Sequence, residues 1–261
     1  MKDLESYNSR IEKIVKALSK SRRVLFITGA GISAESGLPT YRGIGGLYNN
    51  KETEDGLPVE SALSGETIKN NPSLTWKYLS EIESKCRNAK FNLAHEIIAK
   101  FESCFEEVLV LTQNIDGFHK QAGSTKIIDI HGDMHKLYCP ECDWRLFVVN
   151  YSQIEIPPLC PDCNAFIRPD VVFFGEMLDH KKVEKLIKHL TSGFDIYFSI
   201  GTTSVFPYIQ EPILLAKANN KLTIEINPSK TEVSHLVDIK IPLGAKEALG
   251  EIWNRYKEFS W

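Results

Sequence analysis

The stretch GAGISAESGLPTYRG, residues 29–43, follows the apolar run Val24-Leu25-Phe26-Ile27. An apolar strand, then Gly29-x-Gly31-x-x-Ala34, then a predicted helix is the order of a phosphate-binding turn: the glycines let the backbone bend tightly and approach a pyrophosphate, which the helix N-terminus meets with N–H donors. A glycine turn with no ligand fits the same letters, so both readings stay open here. Pro39, Tyr41 and Arg42 then occupy positions where an ordinary helix should continue. A dinucleotide-binding unit of the common kind also needs a second strand ending in an acidic residue about 20 positions on, to hold the ribose. No such strand arrives, which argues against an ordinary dehydrogenase.

Outward from this turn, short apolar and β-branched runs recur at 108–112, 195–200 and 222–226, each followed by Gly, Asn or polar residues. Strands buried on both faces read this way, and helical stretches at 181–190 and 211–218 lie between them. The alternation predicts an α/β fold with a doubly wound parallel sheet. Ahead of it, Leu4, Ile11, Ile14, Val15 and Leu18 fall at near-helical spacing among charged residues, predicting an amphipathic helix. Two segments interrupt the alternation: 45–92, polar and then helical around 76–82, and 139–166, which carries Pro157-Pro158. Both are expected to form a smaller inserted domain, leaving 1–44, 93–138 and 167–261 for the large one.

The 261 residues are 43% hydrophobic, enough for one large core with an appended module. With 31 basic and 34 acidic residues spread along the chain and a net charge of -3, no basic stripe exists for a phosphate backbone, so direct nucleic-acid binding is not expected. The N-terminus lacks the apolar core of a signal peptide and no run approaches a membrane span. A cytoplasmic protein that does not bind membranes is the expectation.

Four of the six cysteines form two close pairs, Cys139/Cys142 and Cys160/Cys163, separated by 17 residues. That spacing suits a structural zinc ribbon, with four thiolates in a tetrahedron and no open position for water. Disulfides are the alternative, disfavoured in a reducing compartment.

Open α/β sheets bind ligands at the carboxyl ends of their strands. There the chain offers Gln113-Asn114-Ile115-Asp116, His131-Gly132, Gly201-Thr202-Thr203 and Asn227. An Asn or Asp at a strand end is commonly a turn residue. A histidine beside a sugar hydroxyl, however, could remove a proton near neutral pH.

Taken together, GAGISAESGLPTYRG, TQNIDGFH (112–119), the His-Gly of DIHGD (129–133), the paired C-x-x-C ribbon, RPDVVFFGE (168–176), GTT (201–203) and EIN (225–227) resemble the sirtuins, NAD-dependent protein lysine deacylases. The likeness runs from about residue 23 to 245. It implies a Rossmann-like large domain and a small domain of zinc ribbon plus helical insertion, with NAD and an acyl-lysine protein or peptide meeting in the cleft between them. It also implies that the segment after the glycine turn is a cofactor loop closing over the nicotinamide ribose. By this likeness Gly29, Ala30, Gly31, Glu35 and Arg42 contact or order NAD, and Tyr41 covers the reacting sugar. Gln113, Asn114, Ile115 and Asp116 hold nicotinamide and ribose; Gly201, Thr202, Thr203, Asn227 and Ala245 hold the adenosine half. His131 is the implied general base, with Asn114 beside it in the catalytic set. Val172, Phe173, Phe174, Gly175 and Glu176 belong to the strand that pairs with the substrate backbone, by strand addition that tolerates many sequences. NAD is consumed, one zinc is structural, and the protein is expected to be monomeric.

Three positions depart from the family. Tyr41 stands where many members have Phe, and GTTSVFPYI is one residue shorter before its Pro than the common pattern. Members that prefer succinyl-lysine carry Tyr and, three residues later, Arg in the helical insertion; here those places are Leu79 and Ile82. Without a guanidinium to pair with an acyl carboxylate, neutral acyl groups are expected to be preferred. The alternatives are mono-ADP-ribosyl transfer in the same cleft and a non-catalytic zinc-ribbon binding module.

Overall fold

The computed structural model describes residues 2–40 and 53–260; Tyr41 and Arg42 lie outside the described residues. In chain order the elements are α1 (Lys2–Leu18), β1 (Arg23–Thr28), α2 (Gly31–Ala34), α3 (Val59–Ala62), α4 (Gly65–Asn70), α5 (Pro72–Cys86), α6 (Leu93–Phe101), β2 (Glu107–Thr112), α7 (Phe118–Gln121), β3 (Ile127–Asp129), β4 (Gly132–Tyr138), β5 (Arg145–Phe147), β6 (Arg168–Val171), α8 (His180–Ser192), β7 (Ile196–Ile200), α9 (Pro207–Ala218), β8 (Leu222–Ile226), β9 (Ile239–Ile241) and α10 (Ala245–Ser260).

Six strands pair in the order β3-β2-β1-β7-β8-β9, every pair parallel. The chain winds one way from β1 and the other way through β7, so the order reverses between these two, and the crevice beyond their carboxyl ends is where such sheets take ligands. The strand pleat explains the continuous apolar runs. Val24, Phe26, Val110 and Phe198 point into a core shared with α1, α6 and α10. Leu25, Ile27, Leu109, Leu111 and Tyr197 point into the opposite core with α8 and α9. Each face is covered, so both alternating sets must be apolar. In α1, Ile11, Ile14, Val15 and Leu18 are buried, as an amphipathic stripe requires.

A third core gathers Trp76, Tyr78 and Leu79 of α5 with Cys139, Tyr151 and Cys160 of the cysteine segment, and also with Met134 and Leu137 of β4 and Val171 of β6. The helical insertion and the ribbon are thus one packed body, stapled by Trp76 Nε1 donating to the Ile167 carbonyl at 2.8 Å. Antiparallel β5-β4-β6 runs through it. The sequence pattern did not mark β4 as a strand of this body.

The helix expected after the glycine turn is present as a single turn, Gly31–Ala34, ending before Gly37, whose φ is +86°. One expectation needs correction. The segment 172–176 is not a continuous strand: β6 stops at Val171, and Phe174 makes only an isolated bridge to Ser64. There the Phe174 N–H donates to the Leu63 carbonyl at 3.0 Å, and Gly65 N–H donates to the Phe174 carbonyl at 2.9 Å, so its backbone is already engaged inside the small lobe.

Candidate active site

A cleft of about 790 Å³ opens along the carboxyl ends of β1, β2, β7 and β8 and continues under α5. Gly29, Ala30, Gly31, Glu35, Gln113, Asn114, Ile115, His131, Gly201, Thr202, Thr203, Asn227 and Ala245 line it, as do Val172, Phe173, Phe174, Gly175 and Glu176. Positions spread over some two hundred residues are therefore brought to one cavity. Asp116 sits against a small recess beside it, with Ser33, Cys86 and Asn114.

The nucleotide side is built from backbone contact. The Gly31 N–H donates to the Gly201 carbonyl at 2.7 Å, and a Cβ placed on Gly31 would lie 2.6 Å from Gly201 Cα. A Cβ on Gly29 would meet Thr202 at 2.8 Å. The turn thus lies flat against the end of β7, leaving its other side to the cleft. Gln113 Nε2 donates to Thr202 Oγ1 at 2.8 Å, and Asn227 Nδ2 donates to the Thr202 carbonyl at 3.0 Å. Thr202 is the knot joining β2, β7 and β8 at this edge. Thr203 is exposed at the rim. Glu35 does not reach freely into the cleft: its Oε2 accepts the Lys246 N–H at 2.7 Å, tying the turn to the start of α10 at Ala245. A small-residue cradle, a cavity of this size and polar groups at four strand ends suit a dinucleotide.

The centre is a buried polar network. Ser33 Oγ donates to Asp116 Oδ2 at 2.7 Å and lies 3.2 Å from Asn114 Nδ2, which also donates to the Gly29 carbonyl at 3.2 Å. Asp116 further accepts the Phe118 N–H at 3.0 Å. Burial pushes its carboxyl pKa up, and the Phe118 and Ser33 hydrogen bonds oppose that. Ser33 joins the turn to the β2 end, yet the sequence reading passed over it. Its signal was a hydroxyl two residues beyond Gly31 in the turn itself.

His131 lies between β3 and β4, aimed by Gly132. That residue has φ +92°, and a Cβ there would sit 1.9 Å from the Asp170 carbonyl oxygen, so only glycine fits. The His131 carbonyl accepts the Val172 N–H at 2.9 Å, locking the loop to the end of β6. Nδ1 is 3.0 Å from the Gln113 carbonyl oxygen and Nε2 is 2.6 Å from the Tyr208 hydroxyl. Burial lowers the imidazole pKa, so the ring is held neutral. Tyr208 is the second residue the sequence reading missed, and no local pattern announced it.

On the other side, Leu63, Leu79, Ile82, Met134, Val171 and Phe173 make an apolar wall. Glu176 is spent on structure. Arg168 grips both its carboxylate oxygens at 2.7 Å, and its Oε2 also accepts the Phe173 N–H at 3.0 Å. Arg87 is turned onto the buried Glu83, with Nη2–Oε2 at 2.6 Å, instead of entering the cleft. Lys230, on the loop after β8, is the one Lys or Arg among the described lining residues.

The four sulfurs of Cys139, Cys142, Cys160 and Cys163 all lie within 4.8 Å of one another. Cys139 N–H donates to the Trp144 carbonyl and Cys160 N–H to the Ala165 carbonyl, closing two matching knuckles that aim the thiols inward. Four thiols converging on one point fit a tetrahedral zinc with all positions filled, the chemistry of a structural site.

Residues 29–207 match the Sir2 family. NAD-dependent protein deacylase 2 of Pseudomonas aeruginosa is 44% identical over 248 residues, covering 94% of this chain and 96% of its own. NAD-dependent protein deacylase 2 of Pseudomonas syringae pv. tomato is 45% identical over 241 residues, covering 90% and 96%. Among solved structures, a Sir2 homolog–NAD complex superposes with a TM-score of 0.85 at 31% identity, covering 96% of this chain and 95% of that one.

Proposed function

The chain belongs to the Sir2 family, and from that premise we infer that it is an NAD-dependent protein lysine deacylase, releasing nicotinamide and O-acyl-ADP-ribose. NAD enters as a substrate: the amide oxygen of an acyl-lysine displaces nicotinamide from the ribose, and a ribose hydroxyl then takes the acyl group. The observation that carries this reading is the neutral, half-buried His131 beside the glycine cradle, in a cleft with an apolar wall on its far side. A site that consumes NAD needs no hydride acceptor. It needs the sugar pinned and water kept out until the acyl group has moved.

The residues divide the work. Gly29, Ala30, Gly31, Gly201, Thr202, Thr203, Asn227 and Ala245 are read as the cradle of the adenosine diphosphate, with Glu35 bracing the turn. Gln113, Asn114, Ile115 and Asp116 are read as the wall around nicotinamide and its ribose. Tyr41 and Arg42 are assigned to the same end by family likeness alone. His131 is the base that becomes charged at Nε2 as the ribose hydroxyl is deprotonated, and its Nδ1–H stays on the Gln113 carbonyl, which keeps the correct tautomer. Val172 to Glu176 are read as the floor for the substrate peptide, held by the Arg168–Glu176 pair. The cysteine cluster would hold one zinc, whose part is to fold the small lobe.

The acyl group is read as neutral. Leu79 and Ile82 both line the apolar wall, and the arginine nearest in sequence, Arg87, is paired with Glu83. A succinyl carboxylate would be buried there without a partner, which is costly.

Incubating the purified chain with NAD and a panel of acetyl-, longer acyl- and succinyl-lysine peptides, then weighing the products, tests the reading. Formation of O-acyl-ADP-ribose and unmodified lysine from the neutral acyl peptides supports it. A protein carrying ADP-ribose would point to transferase activity, and faster turnover of succinyl-lysine would overturn the acyl preference.

A further inference from the structure

The two nitrogens of His131 have different partners. Nδ1 faces the Gln113 carbonyl, which can only accept, so Nδ1 carries the proton and Nε2 the lone pair. That lone pair is not open to the cleft, because the Tyr208 hydroxyl stands 2.6 Å away and, facing an acceptor, donates to it. Burial pushes the Tyr208 phenol up to about 12, so the hydroxyl remains protonated and able to donate.

Tyr208 is also held in place. Pro207 opens α9 immediately before it. Phe206 stacks on its ring with centroids 5.4 Å apart and planes at 13°. Both rings meet His131 edge-on, with centroids at 5.8 and 5.9 Å. All three side chains border the cleft. A sugar hydroxyl approaching Nε2 therefore meets the Tyr208 hydroxyl first, on a ring fixed by stacking and by the first turn of a helix.

Resting on the deacylase reading above, we propose that Tyr208 is a link in the proton path of that reaction, standing between the ribose hydroxyl and Nε2 of His131. The ribose O–H bond breaks as its proton moves to the Tyr208 oxygen, and the original Tyr208 O–H bond breaks as that proton moves to Nε2. Tyrosine ends neutral and the imidazole ends as imidazolium, with Nδ1–H still on Gln113. The ribose oxygen keeps the electron pair with which it attacks the acyl carbon. Because the phenol is neutral before and after, its high pKa is no obstacle to a concerted transfer.

The test compares wild type, Tyr208→Phe, His131→Ala and the double variant on an acetyl-lysine peptide with NAD. Two rates are followed: formation of O-acetyl-ADP-ribose, and exchange of labelled nicotinamide into NAD, which reports the bond-breaking that precedes proton removal. Tyr208→Phe keeps the ring and its stacking, and thermal melting checks that it folds. The expected result is a fall in product formation of about tenfold or more, with the exchange-to-product ratio rising by a similar factor. The double variant should be no slower than His131→Ala alone, as expected for groups acting as one unit. Product formation in Tyr208→Phe within about twofold of wild type, or an equal fall in both rates, overturns the relay. If wild type forms no O-acetyl-ADP-ribose from any acyl-lysine peptide, it is the deacylase reading that fails; if wild type works and Tyr208→Phe matches it, only the relay fails.

Discussion

Gly31 and Gly201 meet backbone to backbone: the Gly31 N–H donates to the Gly201 carbonyl at 2.7 Å, and Gly201, with φ +59°, turns away from β7 at that point. The contact sets the depth of the nucleotide cradle, because a side chain on either residue would enter the other's backbone. Replacing Gly31 by Ala should push the turn off the end of β7. Overpacking of this kind costs about 1–3 kcal/mol. The KM for NAD is expected to rise roughly tenfold or more, with the KM for peptide little changed. Steady-state kinetics with each substrate varied in turn would check this; an unchanged KM for NAD would contradict it.

Asp116 carries a buried carboxyl whose pKa is raised by desolvation. A raised folded value means that the unfolded chain ionises first, so the group costs stability increasingly as pH rises through its folded pKa. Asp116→Asn keeps an oxygen for the Phe118 N–H, turns an NH2 toward the Ser33 hydroxyl and removes the charge. At pH 7.5 it should raise Tm while lowering deacylation, because the end of the cleft proposed to hold nicotinamide loses its carboxylate. A lowered Tm in calorimetry would contradict the account.

Three histidines, His95 and His119 buried and His131 half-buried, act in the opposite direction. Burial lowers the pKa of His95 to about 4, of His119 well below its ordinary value, and of His131. Each folds neutral, so stability is present above the unfolded value near 6.5 and is lost as pH falls below it. Tm should therefore decline from about pH 6.5 toward 5, before most carboxylates protonate, despite the opposing effect of Asp116. The same lowering keeps His131 a base in mildly acidic buffer. The acid limb of kcat/KM should lie below about 6.5. A limb above that value would argue against His131 as the base.

The acyl wall can be rewritten. Leu79→Tyr with Ile82→Arg would place a hydroxyl and a guanidinium where the wall is now apolar, and a bidentate pair with a carboxylate becomes available. The ratio of succinyl-lysine to acetyl-lysine turnover is expected to rise by about tenfold or more, since one charge-assisted hydrogen bond is worth about 1.5–3 kcal/mol. An unchanged ratio in a folded double variant would show that the acyl group binds elsewhere.

The cysteine cluster predicts about one zinc per chain by elemental analysis, as a four-thiolate site requires. Cys142→Ser should release the metal and loosen the small lobe, where Trp76 and Tyr151 pack edge to face at 5.3 Å. Their near-ultraviolet dichroism should fall, while the parallel sheet keeps its far-ultraviolet signal. Full metal content in Cys142→Ser would overturn the ligand assignment.

What the amino-acid order determined by itself was local or periodic. Four sheet strands were legible because a strand covered on both faces must be apolar at every position. The ribbon was legible because thiolates must stand a fixed number of residues apart to reach one ion. The cradle was legible because only glycine lets two backbones touch. The tertiary structure alone decided which distant groups meet. It brought Ser33 to Asp116 and Tyr208 to His131, 77 positions apart. It also turned Glu35 onto α10 and Glu176 onto Arg168, and placed β4 and β6 in the small lobe. A hydrogen bond between side chains so far apart in sequence leaves no periodic trace along the chain: it exists only after the sheet has stacked its strand ends side by side.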